Sequence, residues 1–271
     1  MKKSGIPILT ICLSMVGCAP ALDLDQKADR TQSPPADARW LTLVVKPEGG
    51  LEPLPVSLEY ESEKCEEARS YGVGGQSQSG TALMRASNFG KVELVREPAD
   101  GEYKARLAID AGGPCQWKLV SLETSFKYRS RNPLVNGREV VSHGNKIEFR
   151  SRKDSVRSPN VRMRFEYFPV VFVKDDPSKN EVRLQPKSGF FPPSFDPSAS
   201  GTMSLEPRVF DDMAMTVRTA PGDSRSYLVT YPDGATGTSP YMDLVGVEDK
   251  RMQCLLSSGK RRCDEFSPRR R

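Results

Sequence analysis

The amino-acid sequence predicts a mostly β protein with an antiparallel β-sandwich-like fold and one short helix. In Val161–Tyr167 and Tyr103–Ile109, apolar residues occupy every second position, which is the period of a half-buried strand. Polar turn sequences such as Asn136-Gly137 separate these runs. The chain has 271 residues, of which 37% are hydrophobic. That length and composition can bury one large core or the cores of two small domains, so two β subdomains are an open alternative.

The remaining strands follow from similar short runs with the same period. In chain order they are Trp40–Val45, Val56–Tyr60, Val92–Val95, Trp117–Leu122, Lys146–Phe149, Met213–Val217 and Tyr227–Tyr231. About ten short strands joined by polar turns are typical of an antiparallel sandwich or barrel.

One segment, Ser62–Tyr71, predicts a helix. Ser62 can cap its N terminus, glutamates follow in the first turns, and Gly72 can end it. The segment Gly72–Gly80 is then expected to be a flexible loop, and Cys65 is expected to lie on the helix.

A proline-rich stretch, residues 185–200, interrupts the strand pattern. It is either an interdomain linker or a long surface loop. It would divide a β-rich domain, residues 40–184, from a smaller β-rich region, residues 201–271, which ends in a basic tail. Phe195 and two preceding phenylalanines in this stretch either fold back onto the core or form an exposed anchor for a partner.

The N-terminus has the features of an export signal. Two lysines precede an apolar run from Ile6 to Val16, which at about 1.5 Å per residue is too short to span a bilayer as a helix. Residues 1–17 are therefore predicted to be a signal peptide. Residues 18–39 are polar and contain proline, which predicts a solvated tether.

The sequence Met15-Val16-Gly17-Cys18 resembles the bacterial lipobox. The resemblance implies that Cys18 is lipidated and becomes the new N-terminus, so that the protein is anchored to a membrane without spanning it. Ala19 after the cysteine favours the outer membrane, with the protein facing the periplasm. The alternative is an ordinary secretory signal that is cleaved nearby, with Cys18 incidental.

The cysteine count predicts two disulfides. Of the six cysteines, Cys12 leaves with the signal peptide and Cys18 takes the lipid, so four remain. An even number in an exported protein is typical of disulfides. The proximity of Cys254 and Cys263 favours a local pair, which leaves Cys65–Cys115. A zinc site with four cysteine ligands is the weaker alternative, because the chain contains no Cys-x-x-Cys pair.

Catalytic patterns are weak, and the sequence predicts a non-enzymatic protein without cofactor or metal. The single histidine, His143, excludes multi-histidine metal centres and is expected to be an exposed turn residue. No Gly-x-Ser-x-Gly nucleophile motif occurs. Ser257 and Lys260 match Ser-x-x-Lys, but the partner motifs of penicillin-recognising enzymes are missing.

The most unusual feature of the charge pattern is a basic segment. Residues 127–164 contain 11 lysines and arginines against 3 acidic residues. This segment is either the exposed face of a sheet or a cationic surface that binds an acidic partner. The predicted partner-binding residues are Arg129, Arg131, Arg150, Arg152, Arg162 and Arg164. Nucleic acid is not an expected partner of an exported, lipid-anchored protein.

Together these features predict an envelope lipoprotein that binds a protein partner. In its lipobox, its β-rich exported body and the strand at Pro114–Leu119, the chain resembles envelope immunity lipoproteins that neutralise toxins of neighbouring bacteria. The resemblance implies an inhibitor of a periplasmic toxin such as a phospholipase effector, and it assigns no functional residues. The alternatives are a structural or assembly lipoprotein of a secretion or envelope complex, and a hydrolase with an unrecognised site.

Overall fold

The computed structural model describes residues 27–48, 50–73, 76–189, 194–198, 200–220, 223–239, 249–258 and 263. The predicted signal peptide, Cys18 and the basic C-terminal tail lie outside these residues. The chain divides into two compact units, one of residues 1–27 and 67–84, the other of residues 28–66 and 85–271. Within the described ranges, no helix has the length and apolar character needed to cross a membrane.

The mostly β fold is confirmed, with two sheets and one α-helix. The strands are β1 Trp40–Val45, β2 Leu51–Pro53, β3 Val56–Val73, β4 Gln76–Val92, β5 Val95–Arg96, β6 Tyr103–Ala108, β7 Asp110–Gly112, β8 Trp117–Tyr128, β9 Glu139–Val141, β10 His143–Glu148, β11 Val161–Val173, β12 Glu181–Pro186, β13 Gly201–Val209, β14 Met215–Ala220, β15 Asp223–Thr230 and β16 Thr236–Ser239. Short 3-10 helices occupy Pro177–Lys179 and Asp211–Met213, and α1 is Lys250–Ser258.

The predicted helix at Ser62–Tyr71 is wrong, because these residues continue strand β3. Residues Ser57–Ser62 pair antiparallel with β8. The buried Ser62 does not cap a helix: its hydroxyl donates to the carbonyl of Cys115 at 2.6 Å and accepts from the backbone N–H of Cys65 at 2.6 Å. Pairing with a distant strand therefore overrides the local capping pattern. The expected loop at Gly72–Gly80 is also replaced, since β3 ends at Val73 and β4 starts at Gln76.

The smaller sheet has the strand order β10-β8-β3-β4, with β2 and β7 also paired to β8. The larger sheet has the order β16-β15-β14-β11-β13-β1-β6-β5, with β12 on β11 and β9 on β12. In addition to antiparallel pairs, the larger sheet contains parallel pairs: β13 with β1 and β11, β14 with β11, and β9 with β12. Parallel pairing requires long crossover connections, which the local alternation pattern does not reveal.

The main core lies between the two sheets. Phe126 of the smaller sheet contacts Phe165 and Tyr167 of the larger one, with ring centroids 6.2 and 6.1 Å apart. Trp117 is completely buried at the start of β8. Facing apolar side chains from two sheets are what define a sandwich core.

A second core forms on the opposite face of β11. Met163, Phe165 and Tyr167 point into the main core, whereas Phe168 and Phe172 point into the second one. Side chains from β14, β15 and α1 complete the second core. The second half of β11 is therefore buried on both faces, which explains its continuous apolar run. The two cores therefore share strand β11.

Residues 185–200 run between β12 and β13, which both belong to the larger sheet. Gln185 and Pro186 belong to β12, and the following strand β13 lies between β1 and β11 inside the larger sheet. Phe195 is fully buried, and its ring centroid lies 5.9 Å from that of Phe149. Phe195 therefore folds back onto the core, whereas Phe190 and Phe191 lie outside the described residues.

The described part of the predicted tether packs on the larger of the two units instead of standing free. Ala28 is buried, and the indole N–H of Trp117 donates to the carbonyl of Asp29 at 3.1 Å. The N–H of Ser33 donates to the carbonyl of Ala111 at 2.9 Å. Residues 28–39 therefore belong to the larger unit.

Candidate functional site

A cleft of about 530 Å³ lies beside strands β3 and β8. Its apolar floor includes Leu119 and Phe149, each only 1% exposed. The charged lining residues are Arg39, Glu61, Glu63, Arg85, Lys118, Arg150 and Asp196. A concave surface with an apolar floor and a few converging polar groups is the usual form of a binding site.

Asp110, at the start of β7, holds two of the cleft's cations in place. The guanidinium of Arg39 donates to both carboxylate oxygens of Asp110 at 2.7 Å, and Lys118 donates to one of them at 2.8 Å. The hydrogen bonds from Arg39 hold the pKa of Asp110 well below its usual range, against the effect of partial burial. Arg39 and Lys118 therefore have a fixed anionic partner and are positioned as walls of the cleft.

Two further arginines of the cleft are less firmly held. The closest approach of Arg150 to Glu61 is 3.6 Å, and the side chain of Arg150 is 48% exposed. Arg85, on β4, is exposed, and no carboxylate of the described residues forms an ion pair with it. Charges in such positions gain little from their own fold. They are therefore available to a carboxylate of a bound molecule.

The six arginines predicted as one basic surface lie in three separate places. Arg150 lines the cleft and Arg152 pairs with Glu148 at 2.8 Å. Arg162 and Arg164, on β11, share Glu206 of β13, with distances of 3.0 and 3.5 Å. Arg129 and Arg131 follow the far end of β8.

Only the arginines near the cleft therefore contribute to a common site. The neutralising carboxylates were missed because Glu61 and Glu206 come from strands distant in sequence. The positions of Arg39 and Arg85 in the cleft were missed for the same reason, since both lie outside the basic segment. Only the pairing of the strands brings these residues together, and the sequence alone does not show that pairing.

His143 is the first residue of β10 and not an exposed turn residue. Its ring contacts that of Tyr167, with centroids 5.6 Å apart. Together with Asn145, which donates to the Tyr167 hydroxyl at 2.5 Å, these residues line a second cleft of about 270 Å³. Burial lowers the pKa of His143, and the negative charge of Glu123 opposes this effect.

Both predicted disulfides are present. Cys65 on β3 is bonded to Cys115, and Cys254 on α1 is bonded to Cys263. The first joins β3 to the turn before β8, beside the cleft, and the second closes the second core. Cys65 therefore lies on a strand and not on the predicted helix. Of the Ser-x-x-Lys pattern, Ser257 lies in α1 and Lys260 lies outside the described residues.

No family model, curated protein or solved structure matches this chain.

Proposed function

We propose that this protein is a membrane-anchored envelope lipoprotein that acts as a non-enzymatic binding module for a protein partner. The observation that carries the binding role is the cleft of about 530 Å³, because it combines an apolar floor with incompletely paired arginines. The anchor is the lipid on Cys18 that the lipobox implies.

The charges of the cleft indicate what it binds. Arg39 and Lys118 share the carboxylate of Asp110, and Lys118 also lies 3.9 Å from Glu63, so they shape the wall more than they attract a ligand. Arg85 and Arg150 are the cations that a partner can recruit. A loop of the partner that carries an acidic side chain would enter the cleft and pair with these arginines.

The envelope immunity lipoproteins that the chain resembles in build define the first partner to test. Such a protein blocks a toxin by occupying part of its surface, which requires binding and no chemistry of its own. A secreted phospholipase effector is therefore the first purified candidate, with an acidic surface loop as the expected contact.

Site-specific photo-crosslinking tests the role of the cleft. A photoreactive phenylalanine analogue at Ser151, which lines the cleft, is expected to form a specific adduct with one envelope or toxin protein. The same analogue at Asn136, an exposed turn residue that does not line the cleft, is the matched control. Arg150→Glu should abolish the adduct from position 151. An adduct that is equally strong at both positions would contradict the proposal.

Metabolic labelling tests the anchor separately. Wild-type protein is expected to incorporate labelled palmitate, and Cys18→Ala should abolish the incorporation. Retained labelling of Cys18→Ala would exclude Cys18 as the lipidated residue.

A further inference from the structure

Strands β4 and β5 meet at a corner with unusual exposure. β4 is the last strand of the smaller sheet, and β5 is the last strand of the larger one. From the end of β4 to the start of β5, inward and outward side chains alternate. Val92 and Leu94 pack against the main core, whereas Phe89, Lys91, Glu93 and Val95 are exposed. The alternation fixes the outward direction of these side chains, because the inward ones are held by the core.

The outward side chains include two large apolar ones. Phe89 is 72% exposed and Val95 is 65% exposed. Lys91 and Glu93 point outward in the same alternation, and Arg96, which is also exposed, follows Val95 in the chain. We call Phe89, Lys91, Val95 and Arg96 the corner surface. Single exposed apolar side chains are common on soluble proteins, so the meaning of Phe89 and Val95 depends on what lies beside them.

The N-terminal segment runs beside the corner surface. The carbonyl of Arg30 accepts a hydrogen bond from the side-chain amide of Asn88 at 2.9 Å, and the guanidinium of Arg30 donates to the carbonyl of Ser87. The chain therefore passes one or two residues from Phe89 before it leads back to Cys18. Ten peptide links separate Cys18 from Ala28, and a chain of that length spans at most roughly 36 Å.

From these observations we infer that the corner surface contacts the lipid leaflet in which the protein is anchored. The inference rests on the proposed lipid anchor, which keeps this corner within reach of the membrane whatever the conformation of the tether. Phe89 and Val95 insert among the acyl chains near the headgroups, while Lys91 and Arg96 contact anionic headgroups.

The chemistry of the corner favours lipid over a protein partner. A stable protein interface buries roughly 800 Å² on each side around a packed apolar centre. The corner surface instead has two separate apolar side chains, each beside a cation. This arrangement suits shallow insertion, for which the covalent lipid supplies most of the affinity.

Fluorescence quenching by brominated lipids tests the inference. The purified mature protein is placed in vesicles of phosphatidylethanolamine and phosphatidylglycerol with brominated acyl chains. Phe89→Trp and Val95→Trp each add one indole at the corner, while the native Trp40 and Trp117 provide the constant background. The added emission should fall by about half or more relative to unbrominated vesicles, because bromine quenches only indoles at the depth of the acyl chains.

The control is Asn136→Trp, in the exposed loop after the opposite end of β8. Its added emission should be unchanged by bromination. Absence of quenching at both corner positions, or equal quenching at position 136, would overturn the inference.

Failure of the anchor is detected independently, by flotation of the wild-type protein with vesicles. If the protein proves not to be lipidated, the same vesicles are added to the soluble protein. Quenching at the corner then supports a lipid contact without the covalent anchor, whereas its absence overturns the inference together with the proposed anchor on which it rests.

Discussion

Replacing Asp110 with asparagine removes the negative charge that Arg39 and Lys118 share while nearly preserving the side-chain volume. The carboxylate of Asp110 is only 13% exposed and receives three side-chain hydrogen bonds, at 2.7, 2.7 and 2.8 Å. Asparagine keeps one acceptor oxygen and turns an amide group toward a cation. The substitution therefore weakens the fold and also releases two walls of the cleft.

The expected loss follows from the number and exposure of these bonds. A hydrogen bond to a charged group contributes about 1.5–3 kcal/mol when buried. Because the side chains of Arg39 and Lys118 are 34% and 35% exposed, solvent screening reduces their contributions. We expect the free energy of unfolding to fall by about 2 kcal/mol at pH 7. With an m-value of roughly 2.5 kcal/mol/M, the urea midpoint should fall by roughly 0.8 M.

The loss should depend on pH in a defined direction. Since the pKa of Asp110 is lowered in the folded protein, its charge stabilises the fold above the unfolded value of 3.8. This contribution is lost as the pH falls below that value toward the folded pKa. The difference between the wild type and Asp110→Asn should therefore stay constant from about pH 5 to pH 8 and shrink below about pH 4.

Urea titrations followed by tryptophan fluorescence measure both quantities. The matched control is Asp100→Asn, because Asp100 is an exposed carboxylate whose closest lysine, Lys104, lies 3.7 Å away. This control should not lower the midpoint measurably. A midpoint for Asp110→Asn equal to that of the control, or a difference that persists unchanged at pH 3, would refute the role assigned to Asp110.

Other predictions concern the disulfides, the histidine and one glycine. Replacing Cys65–Cys115 by two serines should cost roughly 4 kcal/mol of unfolding free energy, and replacing Cys254–Cys263 roughly 2.7 kcal/mol. The first loss is larger because that disulfide closes the longer loop, with a sequence separation of 50 against 9. Equal losses in urea titrations would contradict this prediction. The pKa of His143 is lowered on folding, so the wild type should lose stability as the pH falls below about 6.5, whereas His143→Gln should lack this step in thermal unfolding scans. Gly112→Ala should destabilise the fold by about 1–3 kcal/mol, since Gly112 has φ +62° and a Cβ would lie 2.3 Å from the carbonyl oxygen of Ser33. It should also speed tryptic cleavage within residues 28–39, and unchanged cleavage would disprove the close packing of this segment.

The sequence alone determined the strands that bury one face. Strand β1 has the predicted bounds, and β3, β6, β8 and β11 begin at the predicted residues. In such strands every second side chain must be buried, so apolar residues recur with a period of two in the local sequence. The predicted export signal and the even number of remaining cysteines likewise predicted both disulfides, because pairing requires only that these cysteines be few and even in number.

Tertiary structure decided everything that depends on a neighbour distant in the chain. Ser62 has the local signals of a helix cap, but pairing of β3 with β8 and the bond between Cys65 and Cys115 hold it in a strand. The basic segment looked like one cationic surface until register placed Arg164 opposite Glu206. A side chain's charge is local information, whereas its neutralisation depends on the strand beside it. For that reason the cleft of Arg39, Arg85 and Arg150 could be found only in the folded chain.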